Sequence, residues 1–370
     1  MFKINNWLLP KSEHDALLIL TDLEPDDVLA IYILRKRLDA AFPILVVLGE
    51  GDLNKTGMAD GLFTQLGFTN FKTIQGPYSN FEYYSNYEYP NEAIHIFGDN
   101  VGKQFQANIY FEEIEKFLGE FVSPLILGIK PFTELLNVDP TVLSKCVLAM
   151  YGGFNLRCMT NNCLEESVAK LINNAFKYVI LYETFFVTGE QNSINKNNAP
   201  KLFETLVTSQ DLVLRGIVKL MGIWNDHIAD ECLKTISDVC CDIRRKWPER
   251  QFKELKEHID QIQKRHLKIV NSIVDAESTQ MVLADFGLTA LLVWDSVQFG
   301  EVKTGNISFD SMGYTIHTQE EDEPSTYVGP VYRPSRTPFL IDPNSKVLNI
   351  LNVGMKEMIS IVTNVVTGDI

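Results

Sequence analysis

Residues 18–34, LILTDLEPDDVLAIYIL, decide how the chain is read. The run ALLILT (16–21) shows no polar alternation, the pattern of a strand buried on both faces. Val28 to Leu34 begin a helix. Between the two lie Asp22, Glu24, Asp26 and Asp27, with one proline and no basic residue. Crowded carboxylates repel one another, and each is costly to take from water unless it is paired or bound to a metal. A plain structural account uses Asp26 after Pro25 as a helix cap and Asp27 as a first-turn acid favoured by the macrodipole. It leaves Asp22, on the strand end and aimed at the same spot, unexplained. The alternative is a divalent cation. Calcium suits best, because it takes several hard oxygens in loose geometry.

The same alternation of short apolar runs with helical patterns continues along the chain. FPILVVLG (42–49) precedes a helix near Lys55 to Leu66. VSPLILGI (122–129) precedes PFTELLNV, and KCVLAMYGG (145–153) precedes EESVAKLINNAF and then KYVILY (177–182). Such units predict an α/β fold with a mostly parallel central sheet and helices on both faces. Ligands in such sheets collect at the carboxyl ends of the strands, where the acidic stretch lies. The chain turns helical after Lys201, with extra helices expected near 205–275. QFKELKEHIDQIQKRHLKIVNSI reads as one long charged amphipathic helix, a solvated one or a partner-binding one. Residues 300–317 read as a hairpin turning at SMG. VLNILNVG followed by MKEMISIVTNVV reads as a last strand and helix. No repeat or low-complexity linker divides the sequence, so one domain over 1–370 is the economical reading.

Apolar content of 45% is ample for a large core. A net charge of −15 and a pI near 4.9 disfavour nucleic acid or an anionic membrane as partner and favour a cation or a neutral polar ligand. The N-terminal residues show no secretory signal and no apolar run is long enough to span a bilayer, so a cytoplasmic protein is expected; export without a cleaved signal stays open. Six cysteines at irregular spacing, Cys146, Cys158, Cys163, Cys232, Cys240 and Cys241, read as reduced thiols. A redox or metal pair at Cys158 and Cys163 is the weaker alternative.

The string L-T-D-L-E-P-D-D, residues 20–27, resembles the opening motif D-x-D-P-G-x-D-D of the nucleoside hydrolases, which cut the N-glycosidic bond of ribonucleosides with calcium. Asp22, Asp26 and Asp27 match three family aspartates; Leu20 stands at the first, and Leu23-Glu24 replaces Pro-Gly. KPFTELL (130–136) resembles the family's G-P-L-T-N-L, MYGGFN (150–155) its M-G-G with a following E-F-N, and VLADFGLTALLV (282–293) its late H-D-P-x-A segment. GEGDLNKT (49–56) lines up with the family's G-N loop, and HIFGDNVG (95–102) with its H-G-x-x-G-L loop. MGYTI, in the predicted hairpin, resembles the stretch G-x-T-x-G-x-T-V. The resemblance runs from about 16 to 365.

The resemblance implies a Rossmann-like nucleoside hydrolase fold and a set of roles. Calcium would be held by the side chains of Asp22, Asp27 and Asp285 and by the carbonyl of Thr133. Asp22 would also serve as general base on the attacking water, and Asp26, Glu50, His95 and Asn155 would contact the substrate. Each has an ordinary structural alternative: helix cap for Asp285, first-turn residue for Thr133, surface-loop residue for His95. Three departures concern substrate. Glu50 replaces the sugar-binding asparagine, Gly153 replaces the glutamate at the ribose 5′ end, and Ala284 replaces the histidine that assists the leaving base. Losing a general acid costs about 10²–10⁴ in rate, so a leaving group that needs no protonation, of the nicotinamide riboside type, would suffer least. Two functions follow: a calcium-dependent N-ribohydrolase acting on a small ribonucleoside, compatible with a homo-oligomer, or a non-catalytic relative that binds calcium and a ribosyl ligand or another protein. An aspartyl-phosphate reading fits poorly, since Asp22 is followed by Leu23 and Glu24.

Overall fold

Leu17–Thr21 form β1, the strand around which the sheet is built. Its residues are fully buried and divide between two cores: Leu17 and Ile19 join one cluster with Ile44, Val46 and Leu48, while Leu18 and Leu20 join the other with Leu45 and Val47. Side chains alternate between the faces of a strand, so an unbroken apolar run means that both faces are covered. The computed structural model describes residues 14–49, 55–76, 96–97, 110–130, 133–151, 166–182, 193–195, 199–223, 280–282, 285–293, 301–307, 339–341, 344–351 and 355–368.

β1 is followed by α1 (Pro25–Arg35), β2 (Ile44–Leu48), α2 (Lys55–Gln65), β3 (Phe71–Gln75) and α3 (Tyr110–Glu120). Next come β4 (Leu125–Gly128), a 3-10 turn at Thr133–Asn137, α4 (Pro140–Leu143), β5 (Val147–Tyr151), α5 (Glu166–Asn174) and β6 (Tyr178–Tyr182). β7 (Ser193–Asn195), α6 (Pro200–Thr208) and α7 (212–223) lead to β8 (Gln280–Val282) and α8 (Asp285–Val293). The last elements are β9 (Glu301–Ile307), β10 (Phe339–Ile341), β11 (Val347–Leu351) and α9 (Met355–Thr367).

Nine strands form one sheet in the order β10-β9-β11-β6-β5-β4-β1-β2-β3. The seven from β11 to β3 run parallel; β9 is antiparallel to both β11 and β10. β7 and β8 make a separate antiparallel ribbon. One face carries α1, α2, α6, α7, α8 and α9, and the other carries α3, the 3-10 turn, α4 and α5. The α/β architecture expected from the sequence is the one observed. α6 and α7 supply the helices expected from 205 onward, and residues 224–279, including the long charged helix, lie outside the described residues.

Three elements differ from expectation. β3 and α3 were not signalled by apolar runs. FKTIQ is an edge strand with Lys72 exposed, and α3 buries only Ile114 and Leu118; edge strands need less apolar sequence. Ile307 in β9 pairs with Phe339 of β10, so the partner on that edge comes from later in the chain than a turn at SMG would place it.

Among the described residues no helix is long and apolar enough to cross a membrane. Cys146, the one described cysteine, is buried with its thiol pushed up to about 12 by that burial, which makes it a packing residue and a poor nucleophile.

Truncating a fully buried aliphatic side chain in β1 removes contacts that the sheet cannot close over. Ile19→Ala is expected to lower the unfolding free energy by about 2–5 kcal/mol, measured by urea denaturation.

Candidate functional site

The strand order turns at β1. β2 and β3 follow on one side and β4, β5 and β6 on the other. Open parallel sheets bind ligands outside the carboxyl ends of the strands at such a switch point. Asp22 is the residue immediately after β1. Thr133 opens the 3-10 turn that follows β4, on the opposite side of the same crevice.

The chain turns sharply here. Leu23 has φ 61°, the left-handed region that a non-glycine residue enters at a cost of about 1–2 kcal/mol. It is held there because its side chain is fully buried and its N–H donates to the Thr21 hydroxyl at 3.0 Å. α1 starts directly afterwards, with Glu24 as N-cap and Pro25 as its first residue. Proline suits that position because its missing N–H would have no helical partner.

Glu24 and Asp27 form a reciprocal capping box: the Glu24 carboxylate accepts from the Asp27 N–H, and Asp27 Oδ2 accepts the Glu24 N–H at 2.9 Å. The cap is therefore Glu24, and Asp26 sits inside the first turn instead of capping it. Asp26 and Asp22 are half-buried, and Asp27 is wholly buried. Because Oδ2 is committed to the cap, Oδ1 is the Asp27 oxygen that a cation would meet. The positive end of α1 lowers the repulsion among its N-cap Glu24 and its first-turn acids Asp26 and Asp27.

Two lysines absent from the sequence expectation belong to the same place. Lys55, the first residue of α2, is 1% exposed and donates through Nζ to the Asp22 carbonyl at 2.8 Å and the Gly49 carbonyl at 3.5 Å. Lys130, just past β4, is 2% exposed and ion-paired with the wholly buried Glu134. Its side chain lies on Gly49: a Cβ there would stand 2.7 Å from Lys130 Cδ and Cε. Gly76, after β3, similarly faces Glu134 Oε1. Glu134 also helps raise the pKa of the half-buried Tyr110, after burial itself. The sequence clue was slight: a lone lysine following the apolar run LILGI, and another in GEGDLNKT.

α8 reaches the same edge. Gly287 packs against the Tyr182 hydroxyl at the carboxyl end of β6, with 3.1 Å between that oxygen and the place of a Cβ. Burial pushes this hydroxyl up to about 12. Asp285, two residues earlier, is the first residue of α8 and so begins at the carboxyl edge. The side chains of Asp285 and Thr133 lie outside the described residues, as do Glu50, His95, Gly153, Asn155 and Ala284 altogether.

Does this set suit calcium? Among the described residues no three His, Cys, Asp or Glu side chains cluster tightly enough to hold a metal by themselves. The donors are nevertheless of the right kind: hard carboxylate oxygens at a strand end and helix start. Asp22, Asp26 and Asp27 are the described donors whose chemistry is compatible with calcium.

Removing the cap tests this local geometry. Glu24→Ala is expected to cost about 0.5–2 kcal/mol of stability, and Glu24→Gln, which keeps an acceptor oxygen, to recover most of it. Thermal or urea denaturation of the two variants measures the difference.

No family model matches the sequence, and comparison with curated proteins finds no match. Solved structures do resemble it. A plant nucleoside hydrolase shares 13% identity at a TM-score of 0.54, over 95% of this chain and 99% of that one. A purine-preferring ribonucleoside hydrolase from Gardnerella vaginalis shares 12% at 0.55, over 95% and 98%. The type III effector protein XopQ, solved in complex with adenosine diphosphate ribose, shares 11% at 0.54, over 97% and 94%. At these identities the likeness is one of fold, and it covers nearly the whole of each chain. The chain carries the α/β fold seen in nucleoside hydrolases.

Proposed function

We propose that the protein is a calcium-dependent N-ribohydrolase that cleaves the N-glycosidic bond of a small ribonucleoside by water attack at C1′. The observation that carries this reading is the position of Asp22. It stands at the carboxyl end of β1, at the switch point of the sheet, beside a helix start bearing two more aspartates.

Asp27 and Asp285 would hold the cation through their side chains, Asp22 would touch it, and Thr133 would offer its main-chain carbonyl. When bound, calcium supplies a Lewis acid that makes a nearby water easier to deprotonate. Asp22 takes the proton from the attacking water at its carboxylate. Asp26 accepts a hydrogen bond from a ribose hydroxyl and thereby orients the sugar. The clustered carboxylates favour the positive charge that develops on the ribose as the bond breaks. Glu50, His95 and Asn155 complete the substrate contacts in this proposal.

A second reading has its own support. XopQ, with the same fold, was solved with adenosine diphosphate ribose bound, and Glu50, Gly153 and Ala284 depart from the hydrolase pattern. On that reading the chain binds a ribosyl ligand without cleaving it.

Ribose release from a nucleoside panel that includes nicotinamide riboside, in calcium or EDTA, separates the two. The hydrolase predicts calcium-dependent release, greatest for the leaving group that needs no protonation, and a fall of about 10²–10⁴ in rate in Asp22→Asn. Ligand binding with no release from any substrate favours the second reading.

A further inference from the structure

Lysine is almost never fully buried unless it is paired, and this site holds two such residues that the proposed chemistry does not use. Lys55 is the harder to explain. It opens α2, whose N-terminus is the positive end of the helix dipole, where a cation is disfavoured. Its hydrogen bonds account for the placement. Nζ ties the Asp22 carbonyl, on the strained β1–α1 turn, to the Gly49 carbonyl at the end of β2. The Gly49 N–H in turn donates to the Thr21 carbonyl at 3.0 Å, so the end of β2 is fastened to the end of β1.

Lys130 reaches the same glycine from the other flank. It follows β4, which pairs with β1 on the side opposite β2, so its chain crosses the end of β1 to lie on Gly49. Glu134 holds its ammonium from the 3-10 turn. A Cβ at position 49 would force the Lys130 side chain to shift from that crossing.

We propose that Lys55 and Lys130 form a built-in cationic clamp over Gly49 that holds the β1–α1 turn, and with it Asp22, in working position before any metal or substrate arrives. The proposal rests on Asp22 as the working carboxylate. Both lysines are positioning residues: one grips the main chain of Asp22, the other braces the strand end beside it. The positive charge of Lys55 offsets the acids of the turn, and its bond to the Asp22 carbonyl steadies the peptide that leads into the left-handed Leu23. Without Lys55 the acids repel one another around a carbonyl that has lost its donor, and the turn then depends on an external cation.

The test uses the full chain and three variants: Lys55→Met, Gly49→Ala, and the double variant Lys130→Met/Glu134→Gln, which avoids stranding a buried carboxylate. Thermal unfolding is followed in EDTA and in calcium chloride, and kcat and KM for ribosyl release are measured on each folded protein. The wild type is expected to melt modestly higher in calcium than in EDTA, by the ordinary stabilisation of a bound ligand. Lys55→Met is expected to widen that gap markedly, with most of its loss of melting temperature seen in EDTA. Its kcat in calcium should fall by about 10²-fold, as misplaced catalytic groups do, with KM little changed. The other two variants should show the same pattern more weakly. Equal loss of melting temperature in both buffers, with kcat intact, would overturn the clamp and leave Lys55 as a packing residue. If no nucleoside releases ribose yet the melting curves split as described, the clamp stands and the hydrolase reading falls. If ribose is released but the curves run parallel, the reverse holds.

Discussion

β1 is hydrogen-bonded along both edges and buried on both faces, so its only route to a ligand is its end. This constraint organises the rest of the molecule. Leu17 to Leu20 are committed to two cores, which leaves no room on the strand for a polar working group. The first residue free of the sheet is Asp22. The sheet order then places the ends of β2 and β4 on either side of it, and whatever those strands carry at their carboxyl ends becomes its environment.

That environment is an electrostatic compromise. Four acids are packed into six residues, and one of them, Asp27, is fully buried. Three separate devices make this tolerable. The α1 N-terminus contributes its dipole, the Glu24–Asp27 box converts two acids into helix caps, and Lys55 enters from the start of α2 to bring its ammonium onto the Asp22 carbonyl. The left-handed Leu23 is the conformational cost of turning the chain so abruptly, and its burial with the Thr21 hydroxyl bond holds it. Strained backbone of this kind persists only where the surroundings over-determine it, and such places are commonly working sites.

Much of this was legible in the sequence. Parallel strands buried on both faces betray themselves as unalternating apolar runs, and ALLILT, PILVVL and YVILY were readable for that reason. β3 was not, because Lys72 on an edge strand faces solvent. The acid cluster was visible, but its division of labour was not. Glutamate is not among the residues favoured at an N-cap, and Asp26 after a proline looked the better cap, so the role of Glu24 emerged only from the hydrogen bonds. Lys55 and Lys130 were hidden for a deeper reason. A lysine that ends up buried looks like any surface lysine in one dimension; only the sheet order reveals that both converge on Gly49 from opposite flanks of β1.

Fold, charge and chemistry meet in the proposal that the end of β1 is a site for a cation and a ribosyl ligand. A crystal structure of the protein with calcium and ribose tests it most directly. Calcium is expected about 2.3–2.6 Å from carboxylate oxygens of Asp27 and Asp285, with ribose hydroxyls beside Asp26 and Asp22. Calcium lodged elsewhere, or an acid turn closed by Lys55 and Lys130 with no space for either ligand, would contradict it.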